Sequence, residues 1–174
     1  MTAVGPGAAA PHDAAAPHDA ATPHDAAAAD RHTPAHRLAH AEVTESPLDI
    51  TAHEKLVAHP AAGAVVSFVG VVRDHDGGRT VTELEYVGHP SAGDVLAEIA
   101  AEFAAMDRVE AVAVSHRVGK LEIGEIALAC AVSTAHRGDA FALCGRLVDE
   151  VKHRLPIWKR QVFSDGAEEW VSCP

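Results

Sequence analysis

Residues 109–134 read VEAVAVSHRV, GKLEIG, EIALACAVST, and this stretch decides the fold class. Val109–Val118 and Glu125–Thr134 are valine- and alanine-rich runs with the length and composition of buried strands. The Gly119 to Gly124 link between them holds two glycines, which predicts a hairpin-like turn. On either side of this pair the pattern turns helical. Ser91 with Asp94 three residues on starts a helix whose apolar positions Val95, Leu96, Ile99, Phe103 and Met106 follow helical spacing. Gly138–Arg154 is the strongest helix in the chain, with Phe141, Cys144, Leu147, Val148 and Val151 assigned to one side and Pro156 as its stop.

Further out the elements are shorter. Thr51-x-x-Glu54 has the spacing of a capping box opening a helix that His59-Pro60 closes. Ala64–Val72 reads as a buried strand. Thr80–Val87 reads as a half-buried one, with Thr82, Leu84 and Tyr86 on one face and Val81, Glu83 and Glu85 on the other. Ile157–Phe163 and Glu168–Ser172 are short strands around the turn signal Ser164-Asp-Gly166. Hairpin-type links between strands favour an α+β fold, a largely antiparallel sheet with flanking helices, over a doubly wound one.

Residues 1–40 are a different material. Ala8-Ala-Ala-Pro-His-Asp13 recurs at 14–19 and, with Thr22 for Ala, at 20–25. A proline in every six-residue repeat cannot propagate a helix, and with no large apolar side chain before Leu38 except Val4 nothing offsets the ordering entropy. A disordered tail is expected there, and a catalytic domain over 41–174. Six-residue flexible spacing makes His12, His18 and His24 a poor metal cage, and no metal site is expected.

Composition excludes several classes. The formal net charge of −11 argues against a nucleic-acid binder, which needs a basic face for phosphates. The longest nearly apolar run, Gly63 to Val72, is about half of the ~20 residues a membrane helix requires. Neither a signal peptide nor a disulfide framework is visible: Cys130, Cys144 and Cys173 are odd in number and far apart, which fits a reducing, cytoplasmic setting. Cys130 and Cys144 read as inert core thiols, and Cys173 as an exposed one near the end.

In this acidic chain the cations are unevenly placed. Lys152, Arg154, Lys159 and Arg160 put four of fourteen Lys and Arg residues within nine positions, where an even spread would put fewer than one. The negative carbonyl end of a helix accounts for Lys152 and Arg154, but not for Lys159 and Arg160 beyond the proline. Ser133-Thr-Ala-His136-Arg137 sits where a strand gives way to a helix start. That is either an anion site or ordinary helix-start chemistry. Arg73 closes a strand and opens the loop Asp74–Gly78. His116 and Arg117, at a strand end, read as structural. Three basic clusters at element ends point to an anionic ligand.

Four segments in this order, Gly63-Ala-Val-Val-Ser-Phe-Val-Gly-Val-Val-Arg73-Asp, His116-Arg-Val-Gly-x-Leu-x-x-Gly-Glu125, Ser133-Thr-Ala-His-Arg137 and Lys152-x-Arg-x-Pro-Ile-Trp-Lys159, strongly resemble the large, catalytic subunit of molybdopterin synthase. The likeness spans roughly residues 45–172. It implies an α/β-hammerhead fold and a sulfurtransferase that inserts two sulfurs into cyclic pyranopterin monophosphate. The sulfur would arrive as a thiocarboxylate on the C-terminal glycine of a small ubiquitin-like subunit, around a central homodimer of large subunits. Carried over residue by residue, the resemblance implies substrate binding by Val71, Val72, Arg73, His136, Arg137, Lys152, Lys159, Arg160 and Gln161, with Lys152 and Lys159 as the catalytic pair. At Val71 the family often has a basic residue instead.

The residues agree with that chemistry. Two anions must meet, and fixed cations offset their repulsion and stabilise the developing oxyanion. Arginine suits a phosphate by its bidentate fork, and two neighbouring lysines favour an amine able to move protons or attack. The transfer itself requires no cofactor. A non-catalytic adaptor for a ubiquitin-like tail is the alternative. A phosphate-ligand or RNA-binding module is less consistent, since seven aromatic side chains offer few stacking surfaces.

Overall fold

Strands β5 (Val109–Arg117) and β7 (Ile126–Thr134) pair antiparallel at the centre of a four-stranded sheet, buried on both faces. The computed structural model describes Thr2 and residues 33–172. The expected tail, apart from Thr2 and 33–40, and Cys173 lie outside the described residues. The sheet order is β1–β5–β7–β2, with β1 (Arg37–Thr44) parallel to β5 and β2 (Ala64–Val71) antiparallel to β7.

Side-chain size sorts the two faces of this sheet. Val112, Val114, Leu128, Cys130 and Val132 point to α2 (Ala92–Ala104) and α3 (Arg137–Arg154), where Leu96, Ile99, Phe103, Leu147 and Val151 complete the main core. Ala111, Ala113 and Ala131 point the other way, where short side chains let Val57, at the end of α1 (Ile50–Leu56), approach closely. The period of two in these strands is therefore written in volume, not polarity.

The second sheet is antiparallel and follows β3 (His75–Asp76), β4 (Arg79–Gly88), β8 (Ile157–Phe163) and β9 (Glu168–Ser172), with β6 (Gly119–Leu121) also paired to β4. The α+β class with largely antiparallel pairing is thus as the sequence predicts. Among the described residues no helix is long and apolar enough to cross a membrane.

Several local expectations are corrected. The segment 119–124 is not a simple turn between β5 and β7. It carries β6 across to the second sheet, with Gly119 and Gly124 both at φ 88° to make the two sharp exits. Helix α1 begins before Thr51, because Asp49 is the N-cap and accepts from the Thr51 N–H at 2.8 Å. Glu54 does not close a capping box; it accepts from Ser67 Oγ at 2.6 Å. The boundary at residue 40 falls inside β1, which pairs from Arg37 onward. Phe141 is not on the buried side of α3 but 66% exposed. In β4 the register shifts between Val81 and Glu83, so a bulge at Thr82 breaks the expected alternation and turns both Val81 and Leu84 inward.

Candidate active site

A cavity of about 460 Å³ opens where the end of β2, the end of α3 and the inner face of β8 meet. Each element delivers its functional side chain for a local reason. Arg73 lies two residues past the end of β2. Lys152 lies in the last turn of α3, where a cation is favoured by the helix carbonyl end. Pro156 then ends the helix, and β8 starts at Ile157. Alternation along β8 puts Ile157, Lys159 and Gln161 on the cavity side. Below the charges the walls are apolar: Leu84, Leu128, Val151 and Leu155.

Asp76 organises the polar side. Its Oδ2 accepts from Gln161 Nε2 at 2.7 Å and from Lys159 Nζ at 2.9 Å, and its Oδ1 accepts from the Arg73 guanidinium at 3.3 Å. The amide of Gln161 first, then the ammonium of Lys159, hold the Asp76 carboxyl down to about 2. Gln161 is only 2% exposed, so its amide needs this acceptor. Lys152, by contrast, makes no ion pair with any described residue.

His116 and Tyr86 stand in the wall, their rings edge-to-face at 5.1 Å. Burial pushes the His116 imidazole down to about 4, so it is neutral at pH 7. Its Nδ1 lies 2.9 Å from the Arg117 carbonyl oxygen, to which it donates, leaving Nε2 as an acceptor.

Of the residues singled out in the sequence, the cavity gathers Val71, Val72, Arg73, Lys152, Lys159 and Gln161. Arg160 projects from the opposite face of β8 to Glu168 at 2.6 Å and Glu85 at 3.7 Å. His136 and Arg137 are exposed at the start of α3. Fifteen residues of helix put Arg137 about 22 Å from Lys152. Neither Ser133 nor Thr134 caps that helix: His136 is the N-cap residue, Thr134 Oγ1 donates to its carbonyl at 2.7 Å, and the buried Ser133 hydroxyl has no partner. Arg154 is drawn away by a two-point contact with Glu102 at 2.6 and 2.9 Å.

Cys130 and Cys144 lie outside the cavity lining. Burial raises the thiol of Cys130 far above its ordinary value and that of Cys144 to about 11, so both are protonated core side chains. Asp76 and Tyr86 are cavity residues that the sequence did not mark as functional, and His116, read there as structural, also stands in the wall. Only the Gly77-Gly78 pair beside Asp76, with φ of 55° and 79°, signals a tight hairpin that could aim it.

A cation-lined cavity at the junction of a mixed and an antiparallel sheet defines a class of anion-handling α+β protein, and comparison with known proteins gives the family. The family model described as MoaE protein matches residues 43–154, and the chain belongs to that family. The molybdopterin synthase catalytic subunit of Nostoc sp. is 39% identical over 132 residues, 75% of this chain and 80% of the relative. The crystal structure of molybdopterin synthase from Staphylococcus aureus superposes with a TM-score of 0.69 at 31% identity, over 75% of this chain and 96% of that one. A complex of subunits 1 and 2 of molybdopterin-converting factor from Helicobacter pylori shares the fold, with a TM-score of 0.59 at 20% identity over 75% of this chain and 88% of that one.

Proposed function

We propose that this chain is the sulfur-transferring, catalytic subunit of a molybdopterin synthase, acting on cyclic pyranopterin monophosphate. The single observation that carries the reading is the convergence of Arg73, Lys152 and Lys159, from three different elements, on one cavity in a chain of net charge −11. A phosphate-bearing substrate and a thiocarboxylate repel one another, and fixed positive charge in a partly apolar pocket offsets that repulsion more strongly than water does.

The two lysines take different roles. Lys159, anchored by Asp76, is a positioned donor for the oxyanion that develops as sulfur is transferred and the carboxylate leaves. Lys152, without an ion-pair partner among the described residues, is the amine that meets the incoming tail and moves a proton. Arg73 offers the planar fork suited to phosphate. The sulfur donor is the C-terminal thiocarboxylate of a small ubiquitin-like subunit, and the setting is the cytoplasm. His136 and Arg137 are too far along α3 to reach their own chain's cavity, so in the proposed homodimer they serve the cavity of the second copy.

The test mixes the full chain with a thiocarboxylated small subunit and cyclic pyranopterin monophosphate and looks for the dithiolene product by mass. Product that depends on this chain is expected. Binding of the small subunit without product would favour the adaptor reading instead.

A further inference from the structure

We propose that Asp76 is a positioning residue and the cavity's resident counter-anion: it holds Lys159 and Gln161 in place while the cavity is empty and yields them to an incoming oxyanion. The inference rests on the anion-binding reading above and goes beyond it. A carboxylate gripped by an ammonium at 2.9 Å, an amide at 2.7 Å and a guanidinium at 3.3 Å is the pattern by which an oxyanion is bound. Here the bound oxyanion is the chain's own.

Three features make exchange feasible. The buried Gln161 amide and the half-buried Lys159 ammonium both require an acceptor, and any ligand with two or more charged oxygens supplies one without leaving them unpaired. Asp76 sits at the tip side of a two-residue strand joined to β4 by the His75–Thr80 and Asp76–Arg79 pairs, with the Val81 N–H donating to the Asp74 carbonyl at 2.9 Å at its base. The adjoining Gly77 and Gly78 have no atoms packed against the space where a side chain would stand. The hairpin can therefore shift without opening the core. A neutral ligand cannot make the exchange, because it would leave the lysine and the arginine uncompensated. Asp76 thus selects for oxyanions, whether the carboxylate end of a partner's tail or a phosphate.

The experiment compares the full-length wild type with Asp76→Asn and Asp76→Ala, each first checked for folding by circular dichroism. Calorimetric titrations use inorganic phosphate and, separately, a short peptide ending in a free glycine carboxylate, with the amidated peptide as control. Loss of the competing charge should tighten binding of at least one oxyanion probe by about tenfold or more, and the probe that gains identifies the source. In product formation the same variants should lower KM for the thiocarboxylated subunit. Their kcat should fall by roughly 10-fold to 10²-fold, because Asp76 is no longer there to take Lys159 and Gln161 back from the departing product. A merely structural role would not improve binding while slowing turnover.

Unchanged or weaker binding of both probes in the folded variants would overturn the proposal. If Asp76→Ala does not fold, the near-isosteric Asp76→Asn decides alone. If oxyanions bind the variants more tightly yet the wild type forms no dithiolene, the role of Asp76 stands and the sulfur-transfer reading falls.

Discussion

The two sheets of this molecule are built to opposite specifications. In the first, β5 and β7 carry buried side chains on both faces, sorted by volume into a large side under α2 and α3 and a small side under α1. In the second, β8 carries charge on both faces: Lys159 toward the cavity and Arg160 toward Glu85 and Glu168. One sheet excludes water and supplies stability. The other, resting against it, holds ammonium and carboxylate groups in fixed geometry at the edge of that dry core. Changes to the first should therefore move stability and leave chemistry intact, and changes to the inner face of the second should do the reverse.

The largest stability effect is expected at Phe103, 1% exposed in the main core. Phe103→Ala should cost about 3–5 kcal/mol in denaturant melts, while the fraction that remains folded turns over normally. Loss of activity without loss of stability would break the division between the sheets.

His116 sits at the seam. The unfolded imidazole protonates near 6.5 and the folded one near 4, so between these values the unfolded state binds the proton first. Stability from this group is complete above about pH 6.5 and falls as pH drops toward 4, by about 3 kcal/mol in total. Asp76 acts in the same direction in a lower window, between 3.8 and about 2. Urea melts against pH should show the upper slope in the wild type and not in His116→Gln. A slope that survives the substitution assigns it elsewhere.

A smaller effect tests the sorting by volume. Ala131→Leu, on the face beneath α1, should destabilise by roughly 1–3 kcal/mol through overpacking despite the gain in apolar surface. No loss would mean that α1 is free to move outward. Smallest of all is the outer face of β8: Arg160→Ala should leave the rate of product formation within about threefold of wild type, since its contacts are surface ion pairs. A large loss of turnover would place Arg160 in the substrate site after all.

Much of this was legible in the chain, for identifiable reasons. Long apolar runs made β5 and β7 readable, and periodicity with a proline stop made α3 readable. Strand β1 was missed because Arg37-Leu-Ala-His-Ala-Glu-Val-Thr44 has no strong apolar alternation, and its parallel pairing with β5 is a long-range fact. Strand β6 was hidden inside what looked like a turn. In the cavity, Lys152 and Lys159 stand out in the sequence by the local excess of cations in an acidic chain, and Arg73 by its place where a strand gives way to a loop. Arg160 could have been separated from Lys159 by the two-residue period of a strand, and Arg137 from Lys152 by the length of the helix between them. Asp76 could not have been found that way, because its partners Lys159 and Gln161 are 83 and 85 residues distant and only the β4–β8 pairing brings them close.

In the proposed mechanism Lys152 and Lys159 supply the positive charge on which sulfur transfer depends. The most direct measurement is dithiolene formation by folded Lys152→Ala and Lys159→Ala proteins given a thiocarboxylated small subunit and cyclic pyranopterin monophosphate. Removal of one such electrostatic contact should lower the rate by about 10²–10³ in each variant, with the melting temperature little changed. Near wild-type rates in both variants would contradict the assignment of the cavity as the active site.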